Sequence, residues 1–249
     1  MTILEIKEET NPNIKEQKPI KEKMDIYIPD IVEGISRRNG MIYLLCGAGG
    51  SGKTSLLLNQ FKKGGAYRKK FHNIYYFCPS SSFASVANHP FENHERVYHE
   101  LTVGGLEELR GELMDRKDDT EEDDEQEYNC VIIDDFANDL KDKGIQRALN
   151  SMLIKARHLN TAFIFTLQSF LYMPKILRKQ ITFATIFKPR NSEEWETIRR
   201  EILQMKEDDA RKLYDYVFSE PYQHLDVDSF ENKFYKNFNY LNIITNDSL

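Results

Sequence analysis

Cysteine is scarce in this sequence: three in 249 residues, at Cys46, Cys78 and Cys130. They lie far apart, each near the end of an apolar run. No metal-binding spacing joins them, and the odd, scattered set excludes a disulfide framework. Buried free thiols in a reducing compartment are the expectation. Long apolar runs are lacking as well. None approaches the roughly 20 residues that cross a bilayer, and the first residues lack the apolar core of a signal peptide. A soluble, intracellular chain is expected. An overall excess of positive charge is also missing, since the formal net charge is −6. The acidity is local, however. Glu107–Glu127 holds 12 acidic and 3 basic residues, a net of −9, so the remainder carries +3. A basic surface elsewhere stays open.

What is present is a stretch on which the chain is organised: Met41–Ser55, MIYLLCGAGGSGKTS. An apolar strand runs into a glycine-rich loop and then into a helix. Gly47, Gly52, Lys53 and Thr54 fit the spacing G-x-x-x-x-G-K-[ST] of a phosphate-binding loop. Glycines let the backbone wrap an anion, and the helix from Lys53 adds the positive end of its dipole. Gly47, Ala48, Gly49, Gly50, Ser51, Gly52, Lys53, Thr54 and Ser55 are the candidate nucleotide contacts. Lys53 is expected to reach the β- and γ-phosphates, and the Thr54 hydroxyl to ligate Mg²⁺.

Met1–Met24 reads as a flexible arm, and Asp25–Ser36 as a lead-in that lies against the core. Arg37 and Arg38 precede the first strand, Met41–Cys46. The helix Lys53–Lys62 follows and ends at Gly64 and Gly65. Lys62, Lys63, Arg68, Lys69 and Lys70, with Tyr67 and Phe71 interleaved, form either a contact for a phosphate backbone or a solvated helix end. Asn73–Cys78 is a second strand, Ser80–His94 loop-like, and Leu106–Met114 helical. Asp115–Glu127 reads as a mobile acidic insertion.

Cys130–Phe136 (CVIIDDF) is an apolar strand that ends in two carboxylates. Asp134 suits the Mg²⁺ shell, and Asp135 suits the attacking water or, in the bland alternative, a cap. Asp142–His158 has helical spacing, with Arg157 and His158 at its end. Thr161–Leu167 is a further strand. Gln168 at its tip is expected to sense the γ-phosphate, because sites in open α/β sheets lie at those strand ends. Pro174–Lys179 reads as a helix with Pro174 in its first turn. Ile181–Phe187 is a fifth strand, and helices follow over Ser192–Met205 and Lys206–Phe218. Ser192 is expected as an N-cap. The aromatic-rich stretch 219–249 either adds an edge strand near Tyr240–Ile244 or packs on a neighbour.

The order strand, glycine loop, helix, strand, insertion, CVIIDD, helix, RHLNTAFIFTLQS and MPKILR resembles the genome-packaging ATPases of the FtsK–HerA superfamily. It is most similar to the poxvirus-type branch found in large eukaryotic DNA viruses and virophages. The resemblance covers roughly Met41–Phe187. It implies a RecA-like α/β fold, a P-loop domain with a mostly parallel central sheet flanked by helices. The division it suggests is an arm and lead-in over 1–36, an ATPase domain over 37–218 with the acidic insertion near 115–127, and an extension over 219–249. It implies ATP hydrolysis with Mg²⁺, held by Thr54 and Asp134. It also implies movement of double-stranded DNA without sequence readout, a pentameric or hexameric ring of identical subunits, and contact with capsid vertex proteins. It implies no membrane partner. It implies action in the host cytoplasm at the site of virus assembly, and association with the virion. Asp135 stands where the superfamily often has glutamate. Arg178 or Arg157 would act in trans on a neighbour's nucleotide, with Arg178 first because it lies beyond the sensor strand and is expected exposed. Two other functions share the loop: a small-molecule kinase, and a nucleotide-binding assembly protein without motor activity.

Overall fold

The structure is a computed structural model that describes residues 5–9, 39–118 and 127–244. The lead-in Asp25–Ser36, Arg37, Arg38 and residues 119–126 of the acidic run lie outside the described residues. In chain order the first elements are β1 (Glu5–Glu9), β2 (Ile42–Cys46), α1 (Lys53–Phe61), β3 (Asn73–Phe77), α2 (Ser80–Ala84), β4 (Val97–Tyr98) and α3 (Val103–Asp118). Next come β5 (Asn129–Asp134), α4 (Lys143–Ile154), β6 (Thr161–Leu167), α5 (Lys175–Arg178), β7 (Phe183–Phe187) and α6 (Ser192–Ile198). The series ends with α7 (Glu207–Val217), β8 (His224–Asp228), β9 (Lys233–Lys236) and β10 (Asn239–Ile244).

Among the described residues these strands form one sheet in the order β1-β10-β9-β8-β7-β2-β6-β5-β3-β4. The segment from β7 to β4 is parallel throughout. From β8 outward every pairing is antiparallel. The glycine-loop strand β2 therefore sits at the centre, between β6 and β7. Its alternation explains both faces. Ile42, Leu44 and Cys46 join one buried cluster, and Met41, Tyr43 and Leu45 join the other. Helix α1 buries Leu56, Leu57 and Leu58 on the second face. Each leucine so buried stabilises the fold by roughly 1.5–3 kcal/mol. On the opposite face α4 places Ile145, Ala148, Leu149, Met152 and Leu153 inward at helical spacing. Asp142 caps that helix, its carboxylate accepting from Ile145 N at 2.9 Å.

Several expectations change in the structure. Ser80–His94 is not all loop, since Ser80–Ala84 forms α2. The helix expected over Leu106–Met114 runs from Val103 to Asp118, so Asp115–Asp118 are helical rather than part of an insertion. Arg116 on its last turn pairs with Glu112 at 3.0 Å and Glu127 at 3.5 Å, which favours the longer helix. Helix α4 stops at Ile154, so Arg157 and His158 occupy the turn beyond it. Pro174 is the residue before α5 rather than in its first turn. Asn191, not Ser192, caps α6: its side chain accepts from Glu194 N at 2.9 Å. The helix expected over Ser192–Met205 turns π-helical over Arg199–Leu203 and ends at Gln204 in the left-handed region, φ 52°. Tyr67 and Phe71 are buried rather than interleaved on the surface, packing on each other, with Tyr67 also on Phe61. The strand expected at the edge, β10, is interior, because β1 pairs on its outer side. That β1 falls within Met1–Met24, which reads as an arm in the sequence. Cys46, Cys78 and Cys130 are free and buried, as expected.

Candidate active site

The phosphate loop leaves β2 at Gly47, whose N–H bonds Leu167 O of β6 at 3.1 Å. Side chains are excluded at Gly47 by Phe187 of β7, which lies 2.5 Å from where a Cβ would stand. Gly52 takes φ 101°, a conformation that side chains rarely adopt, and heads α1. Its carbonyl receives Leu56 N at 2.8 Å, so the first helical bond starts inside the motif. Lys53 is buried and folds back to donate to Ala48 O at 3.2 Å. Burial lowers the Lys53 pKa, while Asp135 and Asp134 pull it up. Ser51 Oγ is buried and has no hydrogen-bond partner among the described residues, a donor that a phosphate oxygen would satisfy. Thr54 follows on the first helical turn, half-buried.

Asp134 ends β5, two strands from β2. It is buried and accepts from Tyr76 Oη at 2.7 Å and from Thr166 Oγ1. Thr166 is its register partner on β6, which explains the meeting. Burial raises the Asp134 pKa, and the two hydroxyl donors oppose the rise. Asp135 adopts φ 65°, a left-handed turn that Asp tolerates better than most residues. The turn swings its carboxylate off the strand line. Ser82 Oγ donates to Asp135 Oδ2 at 3.0 Å, and Gln168 Nε2 donates to Asp135 Oδ1 at 3.2 Å. The expected carboxylate and the expected glutamine thus meet at the ends of adjacent strands.

The two arginines do not join them. Arg157 precedes β6 and Arg178 precedes β7, so both lie at the strand ends opposite the phosphate loop. Arg157 is exposed, with its guanidinium over the Phe230 ring at 5.7 Å. Arg178 corrects the expectation of exposure, since its side chain is only 13% exposed. It faces Glu201 at 3.4 Å and stacks on Phe170 at 5.1 Å, because the π-helical turn carries Glu201 over it.

A profile of the family described as poxvirus A32 protein matches residues 37–245. The chain belongs to the poxvirus A32 protein family. The match extends past the parallel core into β10. No curated protein matches the chain. Among solved structures, the DNA-packaging ATPase B204 of Sulfolobus turreted icosahedral virus is similar at TM-score 0.58 and 18% identity, over 80% of this chain and 97% of that one. The genome packaging NTPase B204 from Sulfolobus turreted icosahedral virus 2, in complex with ATP-gammaS, gives TM-score 0.53 at 18% identity, over 79% and 95%. EssC (ATPases 2 and 3) from Geobacillus thermodenitrificans gives TM-score 0.55 at 15% identity, over 84% of this chain and 40% of that one. At these identities the likeness is one of fold, a mixed α/β sheet that is mostly parallel at its centre. No helix among the described residues is long and apolar enough to cross a membrane.

Within this A32 family member the donor set suits Mg²⁺. Thr54 and Asp134 supply hard oxygens, and no cluster of three metal-ligating side chains exists among the described residues. An ion held by one or two protein oxygens and by nucleotide phosphates needs no more than that. Sequence reasoning missed Ser82, Tyr76 and Thr166. Thr166 had a visible signal, as the one polar residue near the tip of an apolar strand. Ser82 and Tyr76 had none, because only the sheet order brings them to Asp134 and Asp135.

Proposed function

We propose that this ATPase is the motor that moves double-stranded DNA into a preformed capsid. It would work as a pentameric or hexameric ring of identical subunits seated on capsid vertex proteins. It acts in the host cytoplasm where virus assembles, and it accompanies the virion. Family membership supports the packaging role. The contact between Gln168 and Asp135 carries the mechanistic reading. It joins a side chain able to read the terminal phosphate to one able to handle the attacking water.

ATP would sit with its phosphates on Gly47–Ser55, against Lys53 and the α1 N-terminus. Mg²⁺, held by Thr54 and Asp134, would supply charge neutralisation on the β- and γ-oxygens. Tyr76 and Thr166 hold the Asp134 carboxylate in place. Asp135, oriented by Ser82 and Gln168, accepts the proton of the attacking water. Its shorter side chain is set by the left-handed turn at its own backbone. After hydrolysis Gln168 no longer touches a γ-phosphate, and the loop beyond it relaxes. Arg157 or Arg178 completes the site of the next subunit, since neither faces its own phosphate loop. Arg157 is the exposed one of the two. DNA is gripped through phosphates without reading bases. The exposed Lys63, Arg68 and Lys69 are candidates for that contact.

The test is steady-state ATP hydrolysis with and without double-stranded DNA, beside Lys53→Ala. DNA-stimulated turnover that Lys53→Ala abolishes supports the motor. Turnover indifferent to DNA, together with phosphate transfer to a nucleoside, would replace it with a kinase.

A further inference from the structure

Two loops leave the phosphate-loop end of the sheet on either side of β2. One follows β6 and holds Gln168, Ser169 and Phe170. The other follows β7 and holds Arg190 and Asn191. Their strands are not neighbours, because β2 separates them. One side chain nevertheless joins them. Glu194, on the first turn of α6, is 3% exposed. Its Oε1 accepts Phe170 N at 2.7 Å, and its Oε2 accepts Arg190 N at 3.1 Å. Its own N–H is held by Asn191 Oδ1 at 2.9 Å. Both carboxylate oxygens therefore end on backbone of different loops.

A buried carboxylate is expensive to desolvate, and bonds from backbone N–H offset that without neutralising it. Phe170 lies two residues beyond Gln168. Arg190 lies three residues beyond Phe187, whose ring carbons approach both Gly47 and Gly52. The Arg190 side chain is exposed and has no hydrogen bond or ion pair among the described residues. Burial is the main cause that lowers the Lys53 pKa, and the Arg190 charge adds to it weakly. Arg190 and Lys53 thus follow neighbouring strands, β7 and β2, at the same end of the sheet.

We propose that Glu194 is a positioning residue for hydrolysis: it fixes the Gln168 loop and the Arg190 loop as one unit, and so directs Arg190, from the same chain, at the terminal phosphate of the bound nucleotide. Arg190 is then a catalytic residue and Glu194 acts through it and through Gln168. Loss of the terminal phosphate releases both loops together. This rests on the reading of Gln168 given above.

The test uses the full-length protein without DNA, so that failure of the motor reading leaves it intact. Glu194→Gln keeps the shape but turns one acceptor into a donor against a backbone N–H. Its kcat should fall roughly 100-fold, as for an ångström-scale misplacement of a reacting group. KM for ATP should rise by no more than about tenfold, the share of binding given to Arg190, and so far less than kcat falls, because the phosphate loop is untouched. Glu194→Gln combined with Arg190→Gln, or with Gln168→Ala, should be no slower than the slower single variant. Losses that multiply, or a KM that rises as far as kcat falls, would mark Glu194 as merely structural and overturn the proposal. Should Glu194→Gln fail to fold, the exposed Arg190→Gln decides. It should lose about tenfold in preference for ATPγS over ADP, read by binding alone. An unchanged preference overturns the proposal. A silent Gln168→Ala would count against the sensor reading, and the Arg190 arm would still report on Glu194.

Discussion

Replacing Gly47 by alanine should damage the site through crowding alone. Its φ is not positive, so no backbone strain enters. The new methyl would stand 2.5 Å from Phe187 Cβ, 3.2 Å from Phe187 Cγ and 3.0 Å from Ser51 Oγ. Ordinary contact begins at 3.4 Å, so a shift of about 0.9 Å is required. Phe187 cannot rotate away, because the clash is with its Cβ. It ends β7, is 4% exposed and is paired to His224 of β8. The loop must move instead. Overpacking of this kind costs about 1–3 kcal/mol. For a chain of this length each kcal/mol lowers Tm by about 2–4 °C. Thermal melts should therefore drop by about 2–12 °C, and hydrolysis by roughly 100-fold, since the phosphate cradle is displaced by nearly an ångström. Gly49→Ala is the internal control. A methyl there meets nothing within 4 Å, so its Tm should match the wild type. Wild-type Tm and turnover in Gly47→Ala would refute the crowding account. Equal damage from both substitutions would point to reduced loop flexibility instead.

Thr166→Val removes one of two hydroxyl donors to the buried Asp134 at constant shape, and should cost about 1.5–3 kcal/mol in urea unfolding. An unchanged midpoint would show that the bond is not formed in solution. His89 is buried, stacks on Phe83 at 4.1 Å, and burial depresses its pKa to about 4. A folded-state value below the ordinary 6.5 means stability is lost as pH falls from about 6.5 towards about 4, by at most about 3 kcal/mol. His89→Phe should lose less than the wild type between about pH 7 and about pH 4.5, and parallel losses would sink the assignment. Replacing Lys63, Arg68 and Lys69 together by alanine should weaken binding to any duplex sequence and reduce the salt slope by about 0.9 for each phosphate that is no longer neutralised. An unchanged slope would move the DNA contact elsewhere.

The phosphate loop is legible because its chemistry is written in consecutive residues: glycines where side chains are excluded and a lysine at the head of a helix. Asp134, Asp135 and Gln168 are legible one step further, as polar residues at the ends of apolar strands. The contact between Asp135 and Gln168 is not, because it depends on β5 and β6 being neighbours. Ser82 shows the limit, since it reaches Asp135 from 53 residues away through a short helix that has no apolar periodicity. Arg178 shows another. Position in the chain suggests exposure, but burial is set by Glu201 on a π-helical turn that composition does not mark. Tyr67 and Phe71 look like a stacking surface because aromatic residues among lysines read alike whether they point inward or outward.

The outermost strand pairing carries a consequence for how the molecule is completed. Glu5 of β1 lies opposite Ile244 of β10, about 240 residues away along the chain. Closing so long a loop from an open chain costs about 5 kcal/mol of entropy, which few backbone bonds alone would offset. Once the rest of the sheet has formed, β10 is already in place and the cost largely disappears. Pairings this distant form late. During synthesis, at about 5–20 residues per second, β1 waits on the order of 10–50 s for its partner to exist. Of the described strands the one made first is thus joined last, and a nascent chain that stops before Asn239 keeps β1 without its partner strand.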